Sequence, residues 1–344
     1  MVRLNHIFAI IATLISLLLT SCDATIHFYP EAEEVEPTFP KHDVELELQY
    51  FDIDMPIHTI VENAGSRAEA EPQHIGRHII KIFDAELNVV DELIVTDSYE
   101  NATTTHNHHF QLQPGQYTAV CWTDYSLDET DHHYDSSNLP ELELKYERAD
   151  DGFLMHNANT PWRDAFSGSV NFTVTQDGVK EIVEMRRPLA RFVFEATDLA
   201  DFIDKQEISL QSNDDLTSVL SNYKIYFRYD GFMPSKFSIF NDAPSDSRVG
   251  ASFLGEPKPS SSTEKAVELG SDFVFVHPTE TFVTVGIEIR NAASDEVAAR
   301  AGPFKIPLMR NKLTIARGKF LTSKSTLGFE INTEFDGDFN IEIR

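Results

Sequence analysis

The sequence predicts an all-β protein built as two tandem β-sandwiches. Three observations carry this. Many short segments alternate apolar with polar residues, turn dipeptides punctuate them, and stretches of helical period are few. Hydrophobic residues make up 41% of the 344, with 25 Phe among them, enough to fill cores of ordinary domain size.

The chain opens with a basic residue, Arg3, an apolar run from Ile7 to Leu19, and then Leu19-Thr20-Ser21-Cys22. That order is a secretory signal ending in a lipobox, so residues 1–21 are expected to be removed and Cys22 to carry acyl chains. The run is about 13 residues long, short of the ~20 that span a bilayer, and no later stretch reaches about 18 apolar residues. The lipid on Cys22 is then the expected membrane attachment. Residues 22–43 hold Glu31, Glu33, Glu34 and Glu36 with Pro30, Pro37 and Pro40, and read as an extended tether.

Val44–Tyr50 alternates strictly and predicts the first strand, with one buried face. Residues 62–74 turn small and polar and predict an exposed loop. Ile79–Phe83 and Leu93–Val95 follow as strands, and His109–Gln113 ends at the turn pair Pro114-Gly115. Tyr117–Trp122 is a nearly continuous apolar strand. Residues 124–139 are polar and predict a long loop, with Leu142–Tyr146 the next strand. Gln176-Asp177-Gly178 between Val170–Thr175 and Val179–Met185 predicts a hairpin. Leu189–Phe194 closes the first half. The pattern breaks over residues 195–216, which places the domain limit there: a sandwich over 44–199 and a second over 200–344. The second half carries strands at Tyr223–Tyr229, Phe237–Phe240, Phe273–Val276, Phe282–Ile289, Phe304–Leu308, Leu313–Phe320, Leu327–Ile331 and Phe339–Ile343.

Net charge is −28, and about −29 once Arg3 leaves with the signal, which opposes binding to nucleic acid or to anionic headgroups. With Cys22 committed to lipid, Cys121 is alone. That excludes an intrachain disulfide, and its apolar setting predicts a buried, inert thiol.

At Arg163-Asp164-Ala165-Phe166, Arg187–Phe192 and Thr197-Asp198-Leu199 the chain resembles the fimbrillin-like lipoproteins of the Bacteroidales. Tyr117–Tyr125 with Tyr134-Asp135 and Asn138-Leu139, Ile306–Thr314, Gly318–Thr322 and the closing Phe335–Ile343 fit the same pattern. Together these blocks span about residues 44–344. The resemblance implies transthyretin-like (Ig-like) sandwiches, a lipoprotein precursor in the outer membrane at the cell surface, and a fimbrial subunit or anchor whose partners are other fimbrial subunits or itself.

In polymerising relatives an Arg-specific protease removes the first strand, and a strand of the next subunit replaces it by β-strand addition. Here the bond Arg67-Ala68 matches that cut in type, although Ser66 stands where the family carries Thr. Arg77 is a competing target. The cut would remove Val44–Tyr50, and the donor candidate is Phe335–Arg344. The alternative is a non-polymerising surface lipoprotein that binds a glycan or a host ligand through its loops, with Tyr125, Tyr134 and Trp162 as stacking platforms.

Two further clusters carry possible metal ligands. His106, His108 and His109 with His132 and His133 gather a transition metal only if the two segments meet, and adjacent strand residues such as His108 and His109 face opposite ways. Asp124, Asp128, Asp131 and Asp135 are oxygen donors suited to Ca²⁺, but without EF-hand spacing. Both are read as loop surface, so no metal is assigned, and the lipid is the only non-protein group expected. No phosphate loop or nucleophile elbow occurs, and no enzymatic activity is expected.

Overall fold

The computed structural model describes residues 39–51, 74–97, 105–149, 152–208, 216–260, 263, 266–279, 281–323 and 339–343. The signal peptide, Cys22, most of the tether, the Arg67-Ala68 bond and the strand expected at 327–331 lie outside the described residues. Lys41–Arg344 forms one compact unit.

The first strands are β1 (His42–Tyr50), β2 (Ile75–Phe83), β3 (Val89–Asp97), β4 (Thr105–Leu112), β5 (Gly115–Ser126), β6 (Tyr134–Asp135), β7 (Glu141–Leu144), β8 (Glu147–Arg148), β9 (Leu154–Met155), β10 (Ala165–Val174), β11 (Val179–Met185) and β12 (Leu189–Ala196). A short helix, α1 (Leu199–Lys205), follows. Then come β13 (Tyr223–Tyr229), β14 (Phe232–Ser238), β15 (Ala243–Val249), β16 (Ala251–Leu254), β17 (Lys258–Pro259), β18 (Val267–Phe275), β19 (Thr281–Asn291), β20 (Val297–Leu308), β21 (Leu313–Gly318) and β22 (Phe339–Ile343). The fold is all-β, as the alternation predicts.

Two sheets enclose the first core. One has the order β11-β1-β4, the other β10-β5-β2-β3. Alternate residues of both face one cluster: Val44, Leu46 and Leu48 from β1 meet Ile80 and Ile82 from β2, Cys121 from β5 and Phe166 from β10. Cys121 is fully buried there, and burial raises its thiol pKa, as an inert core thiol requires.

The second core, filled by Phe192, Phe194, Phe227, Phe253 and Phe304 among others, lies within sheets of order β17-β18-β12-β21-β22 and β20-β19-β13-β16-β9-β8. A further sheet runs β15-β14-β7-β6. Every residue of β18 is buried, Glu268 and Asp272 included, so the strand shows no apolar–polar alternation.

Two expectations need correcting. Asp177-Gly178 does make a turn, closed by an isolated bridge between Thr175 and Gly178, but the flanking strands do not form a hairpin ladder. Instead β10 pairs with β5 and β11 pairs with β1, in opposite sheets. The reason is packing: Phe172 and Val174 on β10 and Val183 and Met185 on β11 fill the same core from its two sides. Glycine is required at this crossing. Gly178 has φ +77°, and a Cβ there would sit 2.5 Å from the Asp43 carbonyl oxygen.

Strand pairing also crosses residue 200. Strand β12 lies between β18 and β21, β7 pairs with β14, and β9 pairs with β16. Residues before the expected domain limit therefore complete the later sheets. Strand β15, which the sequence reading missed, is polar and largely exposed and so carries no alternation to read.

Strand β1 is the central member of its sheet, with Val44, Leu46 and Leu48 fully buried. Leu46→Ala is expected to lower stability by about 2–5 kcal/mol. Urea unfolding of the two proteins measures it, and a loss below about 1 kcal/mol would mean the β1 face is not packed as described.

Candidate functional site

The slot that holds β1 is defined on both sides by backbone. From Val44 to Tyr50 the strand pairs parallel with Val179–Met185 of β11, and from His42 to Gln49 it pairs antiparallel with Thr105–Leu112 of β4. Its inner face is apolar, and its outer face carries Glu45 and Glu47, both 3.0 Å from Lys180 Nζ. Taking β1 out would leave β4 and β11 with facing unpaired edges and an apolar floor between them. At its end, the Tyr50 hydroxyl lies 2.8 Å from Thr123 Oγ1 and 3.3 Å from His78 Nδ1, so the strand is also anchored to the opposite sheet.

The other end of the chain has the opposite character. Among the described residues, strand β22 is the edge of its sheet and pairs, in parallel, with β21 alone. It lies within the segment expected to act as donor.

The loop after β5 is organised by one buried cation. Arg77 on β2 makes a two-pronged ion pair with Asp124, at 2.9 and 2.7 Å, and also reaches Asp131 Oδ1 at 3.0 Å. Asp131 in turn accepts from the Ser136 amide and hydroxyl at 2.8 and 2.6 Å. Burial would raise the Asp124 carboxyl, and does so on balance, with Arg77 pulling the other way. The four aspartates expected as loop surface therefore separate. Asp124 is a buried ion-pair partner, Asp131 braces the loop, and Asp128 and Asp135 accept from Thr130 and Ser137. Arg77, 1% exposed, is out of reach of a protease, so it does not compete with Arg67.

The stacking platforms also need correcting. Tyr125 is 2% exposed and Tyr134 fully buried, its ring against Trp122 at 5.1 Å and its hydroxyl donating to the Arg163 carbonyl. A sugar ring has no access to either. Trp162 is half-buried in a short turn, Pro161–Arg163, with its ring 4.9 Å from that of His74 at 12° between planes.

The histidines regroup as well. His106 and His108 face His78 across the first core, at 4.5 and 5.5 Å between rings, while His109 points to solvent, as the strand period requires. They do not meet His132 and His133, whose neighbour is His74. His74, His132 and His133 each bring one ligand nitrogen within 4.8 Å of the others. Burial lowers the pKa of His133 to about 2, helped by Arg163, and lowers that of His132 too, so both rings are neutral at pH 7.

Sequence reasoning missed the buried charges where the two cores meet. Arg187 lies 2.6 and 2.8 Å from the Asp164 carboxylate, donates to Asn311 Oδ1, and covers the Phe166 ring at 4.7 Å. Arg163 donates to Asp272, which also accepts from His156 Nε2 and the Tyr229 hydroxyl, each at 2.6 Å. Burial alone would raise the Asp272 carboxyl. Arg163, His156 and Tyr229 outweigh it and leave it below the ordinary value. Asp198 caps the chain after β21 by accepting from the Thr322 amide and hydroxyl at 2.8 and 2.7 Å. The signal was present in part: Arg163, Asp164, Arg187, Asp198 and Asn311 sit in the blocks Arg163–Phe166, Arg187–Phe192, Thr197–Leu199 and Ile306–Thr314, whereas His156, Tyr229 and Asp272 do not. Charged residues inside apolar runs point to buried pairs.

Residues 40–344 match the profile of DUF6562, described as a family of unknown function. The chain belongs to this family. No curated protein matches the sequence. Among solved structures, this DUF6562 chain is similar to a candidate polysaccharide-binding protein of Bacteroides thetaiotaomicron, at 12% identity and TM-score 0.43, over 76% of this chain and 79% of that one. It is similar to a candidate adhesin of Bacteroides ovatus at 10% identity and TM-score 0.43, covering 89% and 93%. It is similar to the fimbrial anchor protein Mfa2 of Porphyromonas gingivalis at 11% identity and TM-score 0.38, covering 76% and 82%. At such identities and TM-scores no activity transfers from these proteins to DUF6562.

One buried group of the β1 site titrates in an accessible range. His78 is 1% exposed, and burial, then His106 and His108, lower its pKa from 6.5 to about 3. The folded protein therefore resists a proton that the unfolded chain accepts below pH 6.5. Stability from this group is complete above that pH and is lost as pH falls toward 3, by up to about 1.4 kcal/mol per pH unit. Urea titrations at pH 7.5 and 5 are expected to show a smaller loss for His78→Gln than for the parent. Equal losses would mean His78 is already protonated or not buried.

Proposed function

We propose that this chain is a cell-surface lipoprotein, anchored through Cys22, that serves as a structural or accessory subunit of fimbriae and exchanges its first strand during assembly. The observation that carries the reading is the place of β1: central in its sheet, apolar on its inner face, and the first of the described strands. While the segment between β1 and β2 is intact, β1 is held at an effective concentration of order millimolar. A cut in that segment makes β1 a separate peptide, and a strand from a second copy then competes for the same slot.

Three features support this reading. The lipobox and the acidic, Pro-rich tether suit a domain displayed away from a membrane. The resemblance to fimbrillin-like lipoproteins runs through the blocks that fix the buried ion pairs. The burial of Arg77 leaves Arg67 as the expected target in its region of the chain. Partners would be further copies or other fimbrial subunits, with adhesion as the outcome and no catalytic step.

Limited digestion of the folded, delipidated protein with an Arg-specific protease, followed by intact mass and sizing, tests the proposal. The expected result is one cut after Arg67, then oligomers without covalent links that survive mild detergent, with neither in Arg67→Gln. A cut protein that keeps β1 and stays monomeric would overturn it.

A further inference from the structure

We propose that His74, His132 and His133 form a three-imidazole site for a divalent transition ion of the zinc class. The three residues come from two places in the chain. His74 is the residue before β2, and His132 and His133 are the two residues before β6. One ligand nitrogen of each lies within 4.8 Å of the others. An ion bound to all three sits about 2 Å from each nitrogen, so the rings need to close by roughly 1 Å. His132 is half-buried, its ring 4.4 Å from that of His133 and 5.7 Å from that of His74.

A second observation points to a ligand. His133 is 4% exposed, and its Nε2 is buried without a hydrogen-bond partner among the described residues. Buried ring nitrogens ordinarily find one, and a metal ion takes a lone pair where no donor is present.

The surroundings are built to hold the rings. Trp162 lies flat on His74, and Tyr125 meets Trp162 edge-on at 5.4 Å. The loop bearing His132 and His133 is pinned by Asp131 to Arg77 and Ser136, and the His133 carbonyl accepts from the Lys145 amide at 3.0 Å. His132 also lines an open cleft of about 660 Å³ with Lys145, Tyr146, His156 and Asn159, which gives an ion a way in and leaves a further position for water.

Nitrogen donors without thiolate favour zinc, copper or nickel over calcium or magnesium, which take oxygen. The ion would tie the start of β2 to the loop before β6. This assignment stands apart from strand exchange.

The test is zinc binding to the full, delipidated protein after chelator treatment, measured by competition with a chromophoric chelator. One equivalent is expected to bind, with affinity reduced about tenfold or more in His132→Gln and in His74→Gln. His109→Gln, on the exposed face of β4, is expected to bind as the parent does. Circular dichroism establishes that each variant is folded. Failure of the parent to bind zinc at micromolar concentration, or unchanged affinity in both site variants, would overturn the assignment.

Discussion

The structure of the first core depends on a single constraint: β1 must occupy the middle of its sheet. Its neighbours β4 and β11 do not pair with each other, and only β1 satisfies their inward edges. Its apolar face meets residues from the opposite sheet, so backbone pairing and core packing enforce the same register. A one-residue slip would place Glu45 and Glu47 in the core, which is why the alternation of Val44–Tyr50 is so strict. The element that completes the sheet is also the first of the described strands.

The second feature is the row of buried guanidinium–carboxylate pairs. Arg77 with Asp124, Arg187 with Asp164 and Arg163 with Asp272 each join residues far apart in sequence. Losing one partner of such a pair leaves an uncompensated buried charge, at about 3–5 kcal/mol. These pairs fix loops that apolar packing alone leaves undefined. Arg77 shapes the loop after β5, and Arg187 with Asn311 ties the chain before β12 to the chain before β21.

Strands with one wet face were legible in the sequence, because a period of two survives wherever one side meets water. Strands β1, β4, β13 and β19 show it. Partnership between strands was not legible. Asp177-Gly178 signals a turn, yet nothing local says that the strands leaving it join different sheets. Polar β15 and the two-residue strands have no pattern to read. Of the site, the slot for β1 was visible as a strand, while the aromatic platforms were misplaced. Tyr125 and Tyr134 look like loop residues because Asp124, Asp131 and Asp135 surround them, and the burial of Asp124 against Arg77 is what takes that segment inside. The histidine grouping depends on the approach of residue 74 to residues 132 and 133, a contact that only the pairing of β2 with β5 creates.

The central claim is that β1 must leave its slot for subunits to join, and a reversible lock tests it most directly. Glu45 on β1 faces His109 on β4 across the antiparallel ladder, both on the outer face. Such pairs have Cα atoms about 4.5–5.5 Å apart, within the range of a disulfide. In the double variant Glu45→Cys, His109→Cys, the account expects the oxidised protein to be cut yet remain monomeric, and reduction to restore assembly. Assembly of the oxidised, cut protein at the parent's rate would contradict it.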